Sequence, residues 1–152
     1  MKKDSGDILT DKPAKGGNEM PVSQTDYEML ASFRYAMRRF LHFSEQAAKS
    51  VGLTPQQHQA LLAIRGFSRA SAISIGELAE RLQVKHHSAV GLVNRLVVHK
   101  LIERGSDTND HRLVYLHLSR RGEEVLDRLS AIHRDELRRM VPVLRELLNH
   151  IS

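Results

Sequence analysis

Two short helices, a tight turn and a β-hairpin follow one another without a break, and this order constrains the fold most strongly. The first helix opens at a reciprocal cap in which Ser74 and Glu77 satisfy free amides of the first turn. After a tight turn, apolar residues at helical spacing predict a second helix over residues 86–100. Branched and aromatic residues then predict strands over 101–106 and 112–118. The pattern predicts a mainly α chain with a small β-hairpin, an α+β arrangement.

The second helix has a distinctive solvent face. Its buried side is fixed by Ala89, Leu92, Val93 and Leu96, which leaves the opposite side to solvent. The residues on that opposite side are His86, His87, Ser88, Gly91, Asn94 and Arg95. No Asp or Glu occurs in residues 86–102. A polar, partly cationic face without carboxylates suits the phosphate-lined major groove of DNA, which is wide enough to admit a helix.

The combination predicts a winged helix-turn-helix, with the helix-turn-helix at about 75–99 and the wing at about 101–118. Arg104, His111 and Arg112 give the hairpin a positive tip that can enter a narrow minor groove. The alternative is a solvated hairpin with ordinary charges. Gly91 weakens its helix by about 1 kcal/mol relative to alanine, so it either admits the DNA backbone or packs against a neighbour.

Long amphipathic helices are predicted on both sides of this unit, at about 24–51 and 119–152. Between the first of them and the helix-turn-helix, Thr54 and Gln57 cap a further helix that reaches roughly Phe67 and buries its three aliphatic residues, Leu61, Leu62 and Ile64. Pro142 is expected to kink or restart the last helix. A monomer would expose both apolar stripes, so the sequence predicts dimerisation helices and a homodimer.

Composition excludes several classes of function. The 152-residue chain has no cysteine, which removes disulfides, thiolate metal sites and thiol redox sensing. Its net charge of +5 favours a polyanionic partner but says nothing about fold.

No apolar run approaches the roughly 20 residues of a membrane span, so we expect a cytoplasmic, nucleoid-associated protein with no membrane partner. Residues 1–22 are expected to form a disordered basic tail, which leaves one domain over 23–152.

Three stretches resemble the MarR family of bacterial transcription regulators. They are Leu53 to Gln57; Ile75 to Leu82 together with Leu92 to Leu96; and, in the wing and beyond, Leu101 to Arg104, Asp107 to Arg112 and Leu116 to Gly122. The most specific feature is the wing pattern Asp-x-x-Asp-x-Arg, formed by Asp107, Asp110 and Arg112. The resemblance implies a winged helix-turn-helix homodimer that binds a pseudopalindromic DNA operator, more often as a repressor.

The resemblance also implies roles for individual residues. Arg112 would contact the minor groove or the DNA backbone, Asp107 and Asp110 would stabilise the wing, and Arg95 would contact phosphate or pair with wing acids. The chain departs from the family pattern at the recognition-helix cap, where Lys85 replaces a frequent serine, and at Val90 and Gly91. We therefore predict that His87 and Ser88 meet base edges and that His86 lies near phosphate.

Family members commonly bind a small anionic aromatic effector between their dimerisation and DNA-binding parts. Arg34, Arg38 and His42 lie at helical spacing on the first long helix, where they either receive a carboxylate or form a solvated basic face. No cofactor is predicted.

Two other functions compete with DNA regulation. Nine histidines suggest a metal-dependent enzyme or metal sensor, but the groupings His86–His87 and His111 with His117 lack a carboxylate at ligand spacing, so no enzyme is predicted. A winged helix can also serve as a protein-interaction module, whose binding would be nearly indifferent to salt.

Overall fold

The structure, a computed structural model, describes residues 20–67, 72–106 and 114–151. The helices are α1 (Gln24–Ser50), α2 (Pro55–Gly66), α3 (Ile75–Leu82), α4 (His86–Val98) and α5 (Arg120–Ile151). The strands are β1 (Ile73–Ser74), β2 (Ile102–Ser106) and β3 (Val114–Leu118). This mainly helical chain with a small sheet confirms the predicted fold class. Nearly all of the expected tail lies outside the described residues, so the tail stays a prediction.

Helices α1, α2 and α3 each begin at a reciprocal cap. The hydroxyl of the N-cap residue accepts a hydrogen bond from the backbone amide of the third helical residue. The side chain of that third residue in turn accepts one from the backbone amide of the N-cap residue. Ser74 and Glu77 form the predicted cap of α3. The amide of Ser74 donates to the Glu77 carboxylate and lowers the pKa of that group. These local bonds explain why the predicted helix starts agree with the structure.

Helices α3 and α4 each end at a residue in the left-handed region. Gln83 has φ 54° and Lys100 has φ 58°, at positions that glycine occupies most readily. After α4, the amide of Leu101 donates to the carbonyl of Leu96 at 2.9 Å. This six-to-one bond closes the helix and turns the chain directly into the wing.

The sheet has the order β1-β3-β2, and both pairings are antiparallel. Ile102 pairs with Leu118 at the base of the hairpin, which confirms the two predicted wing strands over their described parts. Strand β1 was not predicted. It has only two residues and exists because Ile73 pairs with Leu116 of β3.

Helix α2 buries a different face from the one predicted. Leu61 and Ile64 are buried as expected, but Leu62 is half exposed, so its predicted burial was wrong. The buried face of α2 also includes Gln57 and His58, one turn before Leu61. Leu62 follows Leu61 by about 100° of helical rotation and therefore points away from that face.

Two hydrogen bonds and one close backbone contact join the start of α5 to the residues just before β2. The Ser119 hydroxyl donates to the carbonyl of Lys100 at 2.6 Å, and the Ser119 amide donates to the carbonyl of Leu101 at 3.0 Å. A side-chain carbon added to Gly122 would overlap the Leu101 carbonyl oxygen. Only glycine permits this approach without a backbone shift.

Helix α5 then continues through Pro142 to Ile151, which excludes the restart among the two predicted effects of Pro142, a kink or a restart. Pro142 is exposed, and water can serve the carbonyl that loses its intrahelical donor. Helix α1 packs along α5, but both keep large apolar side chains in solvent. Within the described ranges, no helix has the length and apolar character that crossing a membrane requires.

Candidate nucleic-acid interface

The exposed first turn of α4 carries His86, His87 and Ser88, as the sequence predicts. Its N-cap is Lys85, whose side chain makes no capping bond, whereas α1, α2 and α3 each have a hydroxyl cap. The positive end of the helix dipole therefore faces solvent together with a lysine and two histidines. This combination favours an anion such as DNA phosphate.

Gly91 lies one turn further along α4 and is partly exposed. The sequence leaves two explanations open for it: close approach of DNA, or packing against a neighbour. A carbon added at Gly91 would meet no other helix or strand in the described chain within 4 Å; its near contact is the Arg95 guanidinium at 3.7 Å. The structure therefore does not support the packing explanation.

Asn94 and Arg104, two predicted DNA contacts, bond to each other. Arg104 donates from Nη2 to the side-chain oxygen of Asn94 and so joins β2 to α4. Both residues are exposed. An arginine has five N–H donors, so Arg104 keeps others for an external acceptor. The bond orients the wing relative to α4.

The first carboxylate after the acid-free stretch is that of Glu103 on β2. It lies 3.3 Å from His117 Nε2 on β3, its cross-strand partner, and both side chains are largely exposed. When His117 is protonated, this pair offsets a negative charge on the wing that would repel phosphate. Arg95 is also exposed on α4, in line with its prediction.

Four predicted wing residues cannot be placed. Asp107, Asp110, His111 and Arg112 lie outside the described residues. Their proposed roles at the tip of the wing therefore stay predictions.

The structure brings together two of the three basic residues suggested for an effector. Arg38 and His42 line an open groove of about 540 Å³ on the side of α1 that faces α5, with Tyr35, Arg39 and Phe43; we call it the α1 groove. Arg34 is not among the residues of that groove. Arg39, which is not among the predicted residues, adds a cation 5.9 Å from the centre of the Tyr35 ring.

Sequence reasoning missed a pair of histidines, buried His58 and half-buried His133, where α2 meets α1 and α5. His58 is 3% exposed, and its ring centre lies 4.7 Å from that of His133. Burial, and secondly the charge of His133, lower the pKa of His58 to about 4. The available signal was the position of His58 one turn before Leu61, on the buried face of α2.

For the metal alternative, the described residues contain no group of three or more His, Asp or Glu side chains placed to hold an ion. His117 has Glu103 as its neighbour, and His86 and His87 lie exposed on α4. These positions give no support for metal-dependent chemistry.

The two helices of the α3–α4 unit, the antiparallel hairpin that follows and the long flanking helices define a winged helix-turn-helix protein. Residues 51–113 match the family model of the MarR family. This match confirms the resemblance to the MarR family over those residues. The family and its relatives are transcriptional regulators rather than enzymes, which agrees with the prediction of no enzyme.

Individual relatives are distant. The HTH-type transcriptional repressor MdtR of Bacillus subtilis is 31% identical over 91 residues, which span 57% of each chain. The HTH-type regulator YsmB of the same organism is 23% identical over 117 residues, 74% of this chain and 78% of YsmB. A single-substitution mutant of Staphylococcus aureus MepR bound to an oligodeoxyribonucleotide has the same fold, with a TM-score of 0.64 at 20% identity, over 83% of this chain and 98% of the MepR chain.

Proposed function

We propose that this protein binds a pseudopalindromic DNA operator as a homodimer, with α4 in the major groove and the β2–β3 hairpin beside the minor groove. The observation that carries the proposal is the exposed, acid-free face of α4, which begins at an N-cap lysine and has an open glycine at its centre. A helix that is only structural has no need for such a face. The MepR complex with an oligodeoxyribonucleotide supports the same use of this fold.

We expect some residues of α4 to contact DNA bases and others to contact phosphate. His87 and Ser88 are exposed in its first turn and offer hydrogen bonds to base edges, while His86 and Lys85 lie beside the phosphate backbone. Arg95 and Arg104 supply further phosphate contacts, and Arg112 reaches the minor groove with Asp107 and Asp110 shaping the wing. Phosphate contacts would provide affinity, and base contacts would provide sequence choice.

Exposed apolar side chains on the long helices support the homodimer. Tyr27 and Leu30 of α1 are 60% and 51% exposed, and Leu137 and Ile151 of α5 are 45% and 64% exposed. A second copy that covers these residues would remove apolar surface from water. Two-fold symmetry then presents two copies of α4 to half-sites about one helical turn apart.

Repression is the mode of regulation that the relatives favour, since MdtR is a repressor. The α1 groove supports an anionic aromatic effector, because Arg38 and Arg39 supply two cations against the single carboxylate of Glu136, and Tyr35 and Phe43 supply ring faces. Binding there would change the distance between the two copies of α4 and release the operator. A regulator of this kind works in the cytoplasm, on the nucleoid.

The direct experiment is selection of bound duplexes from a random pool, repeated at two salt concentrations. We expect enrichment of a two-fold symmetric motif, with affinity falling with salt at a log–log slope of about −0.9 per neutralised phosphate. His87→Ala should relax the motif, whereas Lys49→Ala removes a cation at the end of α1 and should leave it unchanged. Binding without sequence preference, or a partner whose affinity ignores salt, would instead support the interaction-module alternative.

A further inference from the structure

Helix α2 connects the two parts of the molecule. It contacts α1 and α5 on one side and α3, α4 and β3 on the other. Any change in how α2 packs against the long helices therefore moves the DNA-binding unit relative to the dimerisation helices.

The contact between α2 and the long helices is built around two histidines. The centres of the His58 and His133 rings are 4.7 Å apart, and the two ring planes are inclined at 50°. Phe40 and Phe43 of α1 meet His133 edge-on, with ring centres 5.9 Å and 5.3 Å away. The joint is thus packed with rings and closed to water around His58.

Hydrogen bonds fix the tautomer of the neutral His133 ring in this arrangement. Its Nδ1 lies 2.6 Å from the Leu129 carbonyl, which can only accept, so Nδ1 carries the hydrogen. In the neutral ring, Nε2 then accepts from the Ser44 hydroxyl at 2.9 Å. Neutral His133 therefore satisfies both ring nitrogens.

His58 has no such arrangement. Its Nδ1 is buried without a hydrogen-bond partner. A proton at that nitrogen would place a charge in a buried site with no acceptor, directly against the ring of His133.

The other groups facing the joint offer no compensation. From α1, Ser44 provides a hydroxyl and the two phenylalanines provide no charge. Between α2 and α5, Arg65 and Glu123 form an ion pair at 3.9 Å with both side chains about half exposed. Over the described ranges, the carboxylates paired with a histidine within 4.0 Å are those facing His117 and His150, not the joint.

We propose that His58 and His133 form a proton-sensitive joint, which is closed while His58 is neutral and opens when His58 takes up a proton, thereby weakening operator binding in acid. The DNA part of this inference rests on the proposed function. The joint itself does not, because its opening can be measured without DNA.

Proton linkage gives the direction and the size of the effect of pH on the joint. In the open state His58 has its ordinary pKa of 6.5, and in the closed state its pKa is about 4. Protons therefore favour the open state between these two values, and lowering the pH from 7.5 to 5.5 shifts the closed-to-open ratio by about tenfold. His86 and His87 act in the opposite direction, because protonation on the exposed face of α4 strengthens attraction to phosphate.

The test uses the full chain and two variants, His58→Gln and the exposed control His99→Gln, at the C-terminal end of α4. We would measure the affinity for the selected operator at pH 7.5 and 5.5. The loss of affinity in acid is expected to be up to about tenfold smaller in His58→Gln than in the wild type and in His99→Gln. Equal pH dependence in all three proteins would overturn the proposal.

Hydrogen exchange of the α2 amides, corrected for the intrinsic effect of pH, gives a readout without DNA. Protection should fall about tenfold from pH 7.5 to 5.5 in the wild type and change little in His58→Gln. An equal loss of protection in the wild type and in His58→Gln would show that the joint does not sense protons. If no duplex is bound at either pH, the proposed function fails, and the exchange result alone decides the joint.

If His58→Gln does not fold, the wild-type protein alone can still test the proposal. The ring proton on Cε1 of His58 can be followed by NMR as the pH falls. We expect the ring to stay neutral at pH 5.5 in the closed molecule. Titration of the native ring near 6.5, with α2 still protected, would overturn the proposal.

Discussion

Arg104 on β2 donates a hydrogen bond to the side-chain oxygen of Asn94 on α4, so the wing and the recognition helix are joined by two exposed residues that both face the proposed DNA interface. The backbone joins these elements through the left-handed turn at Lys100. The side-chain bond adds a second attachment. An operator would therefore meet α4 and the hairpin as one surface.

This bond predicts that Asn94 and Arg104 are coupled in DNA binding. Arg104→Ala should weaken operator binding by about 1 kcal/mol, through loss of a cation and of wing positioning, and Asn94→Ala should cost somewhat less. The double variant should lose less than the sum of the two. A double-mutant cycle of dissociation constants measures the coupling, and simple additivity would show that the bond has no role in binding.

Arg112 in the wing provides a test of the groove contact. Arg112→Ala should weaken operator binding by about 1 to 3 kcal/mol while the dimer stays intact. The affinity is measured by fluorescence anisotropy, and the dimer by analytical ultracentrifugation. Unchanged affinity would remove the wing from the mechanism, and loss of the dimer would show that the substitution acts on the fold instead.

Gly122 should be intolerant of any side chain. Because a methyl group there overlaps the Leu101 carbonyl oxygen, Gly122→Ala is expected to destabilise the fold by about 2 to 4 kcal/mol. Gly66→Ala is the matched control, since open space surrounds that position near the end of α2 and the substitution should be neutral or slightly stabilising. Urea denaturation of both variants measures the difference. Equal stabilities would mean that α5 moves away from the wing at little cost.

The helix starts could be predicted because their cause is local. Ser74 and Glu77 are three residues apart, and their reciprocal bonds need no other part of the chain. Amphipathic spacing likewise identified the buried face of α4. Helix α2 was harder, because its closely spaced aliphatic residues left the phase of the helix open, and tertiary packing buried His58 while exposing Leu62.

The remaining features depend on contacts between distant residues. Strand β1 needs its partner β3, and a two-residue segment carries no strand pattern of its own. Ser44 and His133 are 89 residues apart, and no periodicity indicates that their side chains meet. The left-handed residue that ends α4 is a lysine, so the glycine signal for that turn is missing from the sequence.

Lys100 should therefore be a site where glycine stabilises the protein. Its φ of 58° is unfavourable for a residue with a side chain, so Lys100→Gly is expected to raise the free energy of unfolding by up to about 1 kcal/mol. Lys100→Ala also removes the charge but keeps the unfavourable conformation, and it should give no such gain. Chemical denaturation of the two variants separates backbone strain from charge, and an equal gain in both would assign the effect to charge.

The buried histidine predicts how stability depends on pH. The pKa of His58 is about 4 in the folded protein and 6.5 when the ring is exposed, so the unfolded chain binds more protons between these values. Unfolding free energy should therefore fall as the pH drops from 6.5 to 4, by up to about 3 kcal/mol per protomer. The lowered pKa values of Asp26 and Glu77 act lower on the pH scale, because those caps lose stability as the pH falls through the ordinary carboxyl values of 3.8 and 4.5, which overlaps the His58 window only at its acid end.

Denaturation curves of the wild type and His58→Gln between pH 7.5 and 4.5 isolate this effect. The variant keeps a polar group of similar size but cannot titrate, so its stability should stay nearly constant where that of the wild type declines. His42→Gln, on the exposed part of α1, should follow the wild type. If His58→Gln declines as steeply as the wild type, the ring is protonated within the folded protein and its burial has no effect on the pH dependence of stability.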